Sequence, residues 1–104
     1  MRWWRRRRGR RAVGYPRVQF DVVGDSLVPR EWAAAGRVGP LEWSAHLERS
    51  GEGVVWSLDV AGTLTGTELR SGRAANQYAA ADQCKAALRG IIDDHNAFTD
   101  ITSG

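Results

Sequence analysis

Two stretches in the middle of the chain place apolar residues at every second position. Residues 41–48 place apolar side chains at odd-numbered positions, and residues 54–61 place them at even-numbered positions. Successive side chains of a strand point to opposite faces, so each stretch predicts a strand with one buried face and one wet face. Residues 50–53 carry two glycines and predict the turn of a hairpin with Trp43 and Trp56 on its buried face.

Weaker alternation flanks this hairpin on both sides. Residues 61–63 predict a second turn, and residues 64–70 predict a threonine-rich third strand that Gly66 interrupts as a bulge or an edge. Residues 18–22 alternate as well and stop at Gly24, which predicts an N-terminal strand. The sequence therefore predicts a three-stranded meander with one additional strand before it.

Residues 25–40 are compatible with two local structures. Pro29 suits the first position of a helix and Gly36 suits its end, which would give one or two helical turns. An ordered loop fits the same residues equally well. A helix this short is stable only when it packs on a core. If residues 25–40 contain this helix, we expect Trp32 to pack against the core.

The hydrophobic period changes to that of a helix after residue 73. Residues 76–97 are mostly helix formers, Asn76 suits the N-cap, and residues 98–104 form a polar tail that we expect to fray. The apolar stripe of this helix consists of Tyr78, Ala81, Cys84, Leu88, Ile91 and Ile92. The simplest way to bury both apolar surfaces is to lay the helix across the dry face of the sheet.

The predicted fold class is therefore α+β, a small antiparallel sheet packed on one long C-terminal helix. A length of 104 residues allows one modest domain, which we place at residues 17–98. Residues 1–16 are predicted to form a flexible arm rich in arginine and tryptophan, because a dense block of like charge repels itself and buries little. Residues 99–104 are predicted to be a frayed tail.

Charge is distributed very unevenly along the chain. Residues 1–17 carry eight arginines and no acid, or +8, whereas the remainder carries 7 basic and 12 acidic side chains, or −5. Guanidinium groups neutralise phosphates without reading sequence, and the two tryptophans of the arm can stack on bases. The candidate nucleic-acid-binding residues are Arg2, Trp3, Trp4, Arg5, Arg6, Arg7, Arg8, Arg10, Arg11 and Arg17, with Arg70 and Arg73 beside the helix start.

Catalytic chemistry has little support in the sequence, and no enzyme, cofactor or metal is expected. His46 and His95 lie in different elements, and Cys84 falls on the apolar stripe, where an inert thiol is the usual finding. Residues 93–95 form an acidic cluster with a histidine, which is typical of a solvated helix end. A single cysteine, no secretory signal and no apolar run of about 18 residues favour a cytoplasmic protein without a transmembrane segment.

Two function classes remain. The first is a small non-enzymatic protein associated with nucleic acid or another polyanion, in which the arm contacts phosphates and the body provides placement or dimerisation. The alternative is a protein-interaction or assembly module, such as a phage or particle component, that uses a strand edge or the acidic sheet face. In this alternative the arm is an electrostatic tether, or it is an artefact of a start site placed too far upstream. A second copy of the chain or another protein binds the sheet. The predicted wet face consists of Glu42, Ser44, His46, Glu48, Ser57 and Asp59.

Overall fold

The computed structural model describes residues 13–25 and 27–103, with side chains described as far as Phe98. Five antiparallel strands follow one another in sheet order and in chain order, and one helix packs on a single face of the sheet. We call this face the inner face and the opposite one the outer face. The elements are β1 (Asp21–Val22), β2 (Glu31–Val38), β3 (Leu41–Ser50), β4 (Gly53–Thr63), β5 (Gly66–Ala74) and α1 (Gln77–Ser103).

The central hairpin confirms the strand pattern of the sequence. β3 and β4 pair across a two-residue turn in which Gly51 has a φ of 63°, the left-handed conformation that glycine adopts without strain. Trp43 and Trp56 lie on the inner face and are only 4% and 6% exposed. The two strands therefore supply the centre of the core.

The predicted number of strands is wrong, because residues 31–38 form neither a helix nor a loop. They form β2, which pairs with β3 along its whole length. Trp32 and Ala34 are buried on the inner face, so the segment does alternate. Its consecutive small residues hide that alternation, and pairing with β3 outweighs the helix preference of alanine.

The predicted N-terminal strand is largely absent from the sheet. Only Asp21 and Val22 pair with β2, whereas residues 13–20, which we call the N-terminal segment, have no regular secondary structure. Val13, Val18 and Phe20 of this segment are half-buried and pack against the core. The alternation in the sequence thus identified buried side chains, but those side chains cover the sheet instead of extending it.

The turn predicted at residues 61–63 lies further along the chain. β4 continues to Thr63, the turn consists of Leu64 and Thr65, and the irregular pairing falls at Gly62 instead of Gly66. Gly62 has a φ of 88°, and a Cβ there would collide with the carbonyl oxygen of Pro40. The bulge therefore lets β4 pass the turn between β2 and β3.

The helix begins as predicted and extends beyond residue 97 to Ser103. The side chain of Asn76 accepts a hydrogen bond from the backbone N–H of Ala79 at 2.9 Å, which confirms the N-cap. The predicted place of Tyr78 on the apolar stripe is wrong, since its side chain is 75% exposed. The buried helix residues are Ala80, Cys84, Leu88, Ile91 and Ile92.

The inner face has two covers. Helix α1 lies over β4 and β5 and touches β3, but within the described residues it does not reach β2. The N-terminal segment packs against the same core cluster as the helix, and that cluster includes Trp32 and Ala34 of β2. The chain before the first strand is consequently part of the fold.

Each buried tryptophan of the hairpin lies against a glycine on a neighbouring strand. Trp43 is opposite Gly36 on β2, and Trp56 is opposite Gly72 on β5. A Cβ at Gly72 would lie 2.6 Å from Nε1 of the Trp56 ring, which donates a hydrogen bond to Gln83 at 2.9 Å. The rings can therefore lie flat against the sheet only because these positions have no side chain.

We expect the substitution Gly72→Ala to destabilise the fold by about 1–3 kcal/mol, because the Trp56 ring cannot move without losing its bond to Gln83. The control is Gly90→Ala on the exposed side of α1, where an added Cβ meets no atom within 4 Å. That control should stabilise the protein by up to about 1 kcal/mol. Urea unfolding measures both values, and equal stability of the two variants would contradict the packing described here.

Candidate functional site

Side-chain hydrogen bonds join the N-terminal segment to the second half of α1. Asn96 accepts a hydrogen bond from the backbone N–H of Val13 at 2.8 Å and donates one to the carbonyl oxygen of Val13 at 2.9 Å. The amide side chain thus satisfies both backbone groups of one residue. Residue 13, which lies near the end of the predicted arm, is fixed beside the helix.

A second set of contacts lies one turn earlier on the helix. The hydroxyl of Tyr15 donates to a carboxylate oxygen of Asp93 at 2.6 Å, and the guanidinium of Arg89 lies 5.1 Å from the centre of the tyrosine ring. The hydrogen bond to Asp93 is the main cause that raises the pKa of Tyr15 above its ordinary value. Tyr15 therefore remains a neutral donor at physiological pH.

The N-terminal segment and the helix enclose a groove that carries only positive charge. It has a volume of about 250 Å³, and it is lined by Pro16, Arg17, Val18, Lys85, Leu88 and Arg89. Lys85 and Arg89 are four residues apart on one side of the helix, and Arg17 faces them from the segment. We call this feature the basic groove, and its three cations suit a phosphate or another anion.

The structure separates the described members of the predicted site. Arg17 lines the basic groove, whereas Arg70 lies on the inner face of β5 and pairs with Glu68 at 3.0 Å. Arg73 lies on the outer face and donates a hydrogen bond to the carbonyl oxygen of Ser50. The predicted residues between positions 2 and 11 lie outside the described residues.

Sequence reasoning missed Lys85 and Arg89. Neither belongs to the predicted apolar stripe, and isolated charges outside such a stripe are common. Their spacing of four residues was the available signal, because it places two cations on one side of a helix. Their proximity to Arg17 could not be inferred, since the predicted fold had no chain running beside the helix.

The outer face has the opposite charge. The residues of the predicted wet face lie there, and all are exposed except the half-buried His46. Glu42 pairs with Arg37, and His46 lies 3.2 Å from Glu31. Acidic side chains therefore predominate on the outer face, and the basic groove lies on the other side of the sheet.

The groups considered for catalysis occupy separate environments. Burial raises the pKa of Cys84 to about 11, so its thiol stays protonated at neutral pH. Asp94 and His95 line a small crevice of about 110 Å³ beside Glu68 and Arg70, while Asp93 binds Tyr15. Among the residues that the structure describes, no group of three histidine, cysteine or acidic side chains is placed to hold a metal ion.

No protein-family model, no curated protein and no solved structure matches the chain. Within the described residues, no helix combines the length and the apolar character that crossing a bilayer requires. The functional interpretation consequently rests on the geometry and the charge of this chain alone.

We expect Asn96→Ala to weaken the attachment of the N-terminal segment to the helix, because the variant loses both hydrogen bonds to Val13 and keeps that of Tyr15 to Asp93. Cleavage by trypsin after Arg17 should accelerate roughly tenfold. Asp94→Ala, two residues away on the helix and without a contact to the segment, should leave that rate unchanged. Mass spectrometry of the fragments measures the rates, and identical cleavage in all three proteins would contradict the attachment.

We expect the thiol of Cys84 to react with a disulfide reagent only when the protein unfolds, since the reactive species is the thiolate. The control is Leu27→Cys, a cysteine at a fully exposed position before β2, which should react at once. Because folding raises the pKa from 9 to about 11, this group stabilises the fold below pH 9, and its contribution is lost as the pH rises toward 11. Equal reactivity of the two cysteines in the native protein would refute the burial of Cys84.

Proposed function

We propose that the protein is a small non-enzymatic protein that associates with nucleic acid, or with another polyanion, in a reducing cytoplasm. The single observation that carries this proposal is the concentration of eight arginines and no acid within residues 1–17. The arm supplies affinity for phosphates that is independent of sequence. The α+β body positions the arm on its ligand, or it allows the protein to dimerise.

The structure supports this proposal through the position of the basic groove. The groove is lined by residues 16–18, where the predicted arm ends, and it adds Lys85 and Arg89 to the cations of that region. A phosphate backbone that leaves the arm can continue along these side chains. The described acids beyond residue 17 are divided between the two sides of the sheet: five lie on the outer face, whereas Glu68 and three helix residues lie on the helix side. None of them lines the basic groove.

The second candidate function is a protein-interaction or assembly module. One observation favours it: no described element covers the outer face, where a shallow depression of about 500 Å³ is lined by small side chains and by Asp21, His46 and Asp59. An acidic, flat surface of this kind suits a partner with exposed lysines or arginines. In this alternative the arm acts as an electrostatic tether.

The experiment that tests the proposed function compares full-length variants for binding to duplex DNA and structured RNA at several salt concentrations. Ten cations engaged on duplex phosphates would give a slope of log K against log salt near −9, an upper bound. Replacement of the seven arginines of residues 2–11 by glutamine, which we call the arm variant, should reduce the magnitude of that slope by up to about 6. The groove variant Arg17→Gln, Lys85→Gln, Arg89→Gln should reduce it by up to about 3.

The control is Arg37→Gln, which removes one exposed arginine that pairs with Glu42 on the outer face. It should leave the slope as it is in the unaltered chain. Loss of binding in this control, or undiminished binding by the arm variant, would favour the protein-interaction module instead.

A further inference from the structure

The longest open edge of the sheet is β5. No described residue pairs with its free side, whereas the opposite edge is the two-residue strand β1. Most residues of β5 are exposed, and its regular pairing with β4 from Thr67 to Ala74 makes the free side a straight row of backbone donors and acceptors. An edge of this kind can accept a further strand.

The side chains of β5 restrict which strand can be added. Glu68 and Arg70 point to the inner face, and Leu69 points to the outer face with 66% of its surface exposed. Charges that point inward on an edge strand normally deter the addition of a foreign strand. Glu68 and Arg70 pair with each other within the chain, and a strand that presents the opposite charges at matching positions fits this edge without placing like charges opposite each other.

We propose that the partner is a second copy of this chain, with the two β5 strands antiparallel and a twofold axis passing between the two Leu69 residues. In this register Leu69 lies opposite Leu69 of the second copy. Glu68 lies opposite Arg70 of the second copy, and the same pair recurs on the other side of the axis. This inference concerns assembly and does not depend on nucleic-acid binding.

The charges select this register over its neighbours. An axis at Glu68 or at Arg70 would place that charge directly opposite its own copy, which is destabilising. An axis at Thr67 or at Ser71 would leave both charges opposite uncharged residues. Only the axis at Leu69 places Glu68 and Arg70 each across from a residue of opposite charge on the second copy. The same axis brings the two exposed Leu69 side chains together.

The axis has a consequence for the basic groove. Antiparallel pairing of the same strand keeps each face of the sheet continuous, so both helices and both N-terminal segments lie on one side of a ten-stranded sheet. The two copies of Val13, which are bonded to the helices, share that side. The dimer would present both basic grooves to one ligand.

The first test uses the full-length chain after nuclease treatment, with sedimentation equilibrium at physiological ionic strength. The unaltered protein should be a dimer, and Arg70→Glu or Glu68→Arg alone should raise its dissociation constant about tenfold or more, because each places like charges opposite each other. The double exchange Glu68→Arg, Arg70→Glu restores opposite charges and should restore the dimer. Leu64→Lys, an exposed leucine in the turn before β5, is the control and should remain dimeric.

The second test measures the register. A cysteine introduced by Leu69→Cys lies opposite its own copy, at a Cβ separation of about 4.5–5.5 Å, and should form a covalent dimer on mild oxidation. Thr67→Cys on the same face is the control, because its copy lies four residues away along the strand, about 13 Å, and should not cross-link. A strictly monomeric chain, a double exchange that stays monomeric although folded, or equal cross-linking at positions 67 and 69 would overturn the proposal.

Discussion

A single helix cannot cover a five-stranded sheet, and the rest of this structure depends on that constraint. An α-helix with its side chains is about 10–12 Å wide, whereas five strands at a spacing of about 4.8 Å extend about 19 Å across the sheet. Helix α1 occupies the half over β4 and β5, where Gly72 lets the Trp56 ring lie flat beneath it. The remaining apolar surface would face water without the N-terminal segment. The chain before the first strand is therefore required for burial, and its hydrogen bonds to Asn96 determine where the arm is attached.

This requirement connects the fold to the distribution of charge. The N-terminal segment lies beside the helix because apolar residues such as Val18 belong in the core, and its polar residues are carried to the helix surface with them. Arg17 thereby faces Lys85 and Arg89. Described acidic residues lie on both sides of the sheet, on the outer face and along the helix, but none of them lines the basic groove. The basic groove thus differs in electrostatic potential from the outer face, where described acidic side chains outnumber basic ones.

The sequence predicted the elements whose side chains alternate clearly and missed those whose pairing is not encoded locally. The hairpin around Gly51 and the N-cap at Asn76 follow from local rules, and both were found. β2 was not found, because its alanines carry no strand preference and its pairing partner lies beyond the next turn. The alternation at residues 18–22 indicated correctly that Val18 and Phe20 are buried against the core. It could not distinguish a strand within the sheet from a segment lying over it. The basic groove could not be predicted for the same reason, since it exists only between that segment and the helix.

The measurement that tests the central claim most directly is a titration of the isotopically labelled chain with a short DNA duplex, followed through its backbone amide NMR signals. The proposal under test is that phosphates bind the arginines of the arm together with the basic groove. The account predicts that chemical shifts change along residues 13–18 and around Lys85 and Arg89, together with the signals of the arm, and that the changes disappear at high salt. Changes concentrated at Ser44, Ser57 and Asp59 on the outer face, or no changes at low salt, would contradict it.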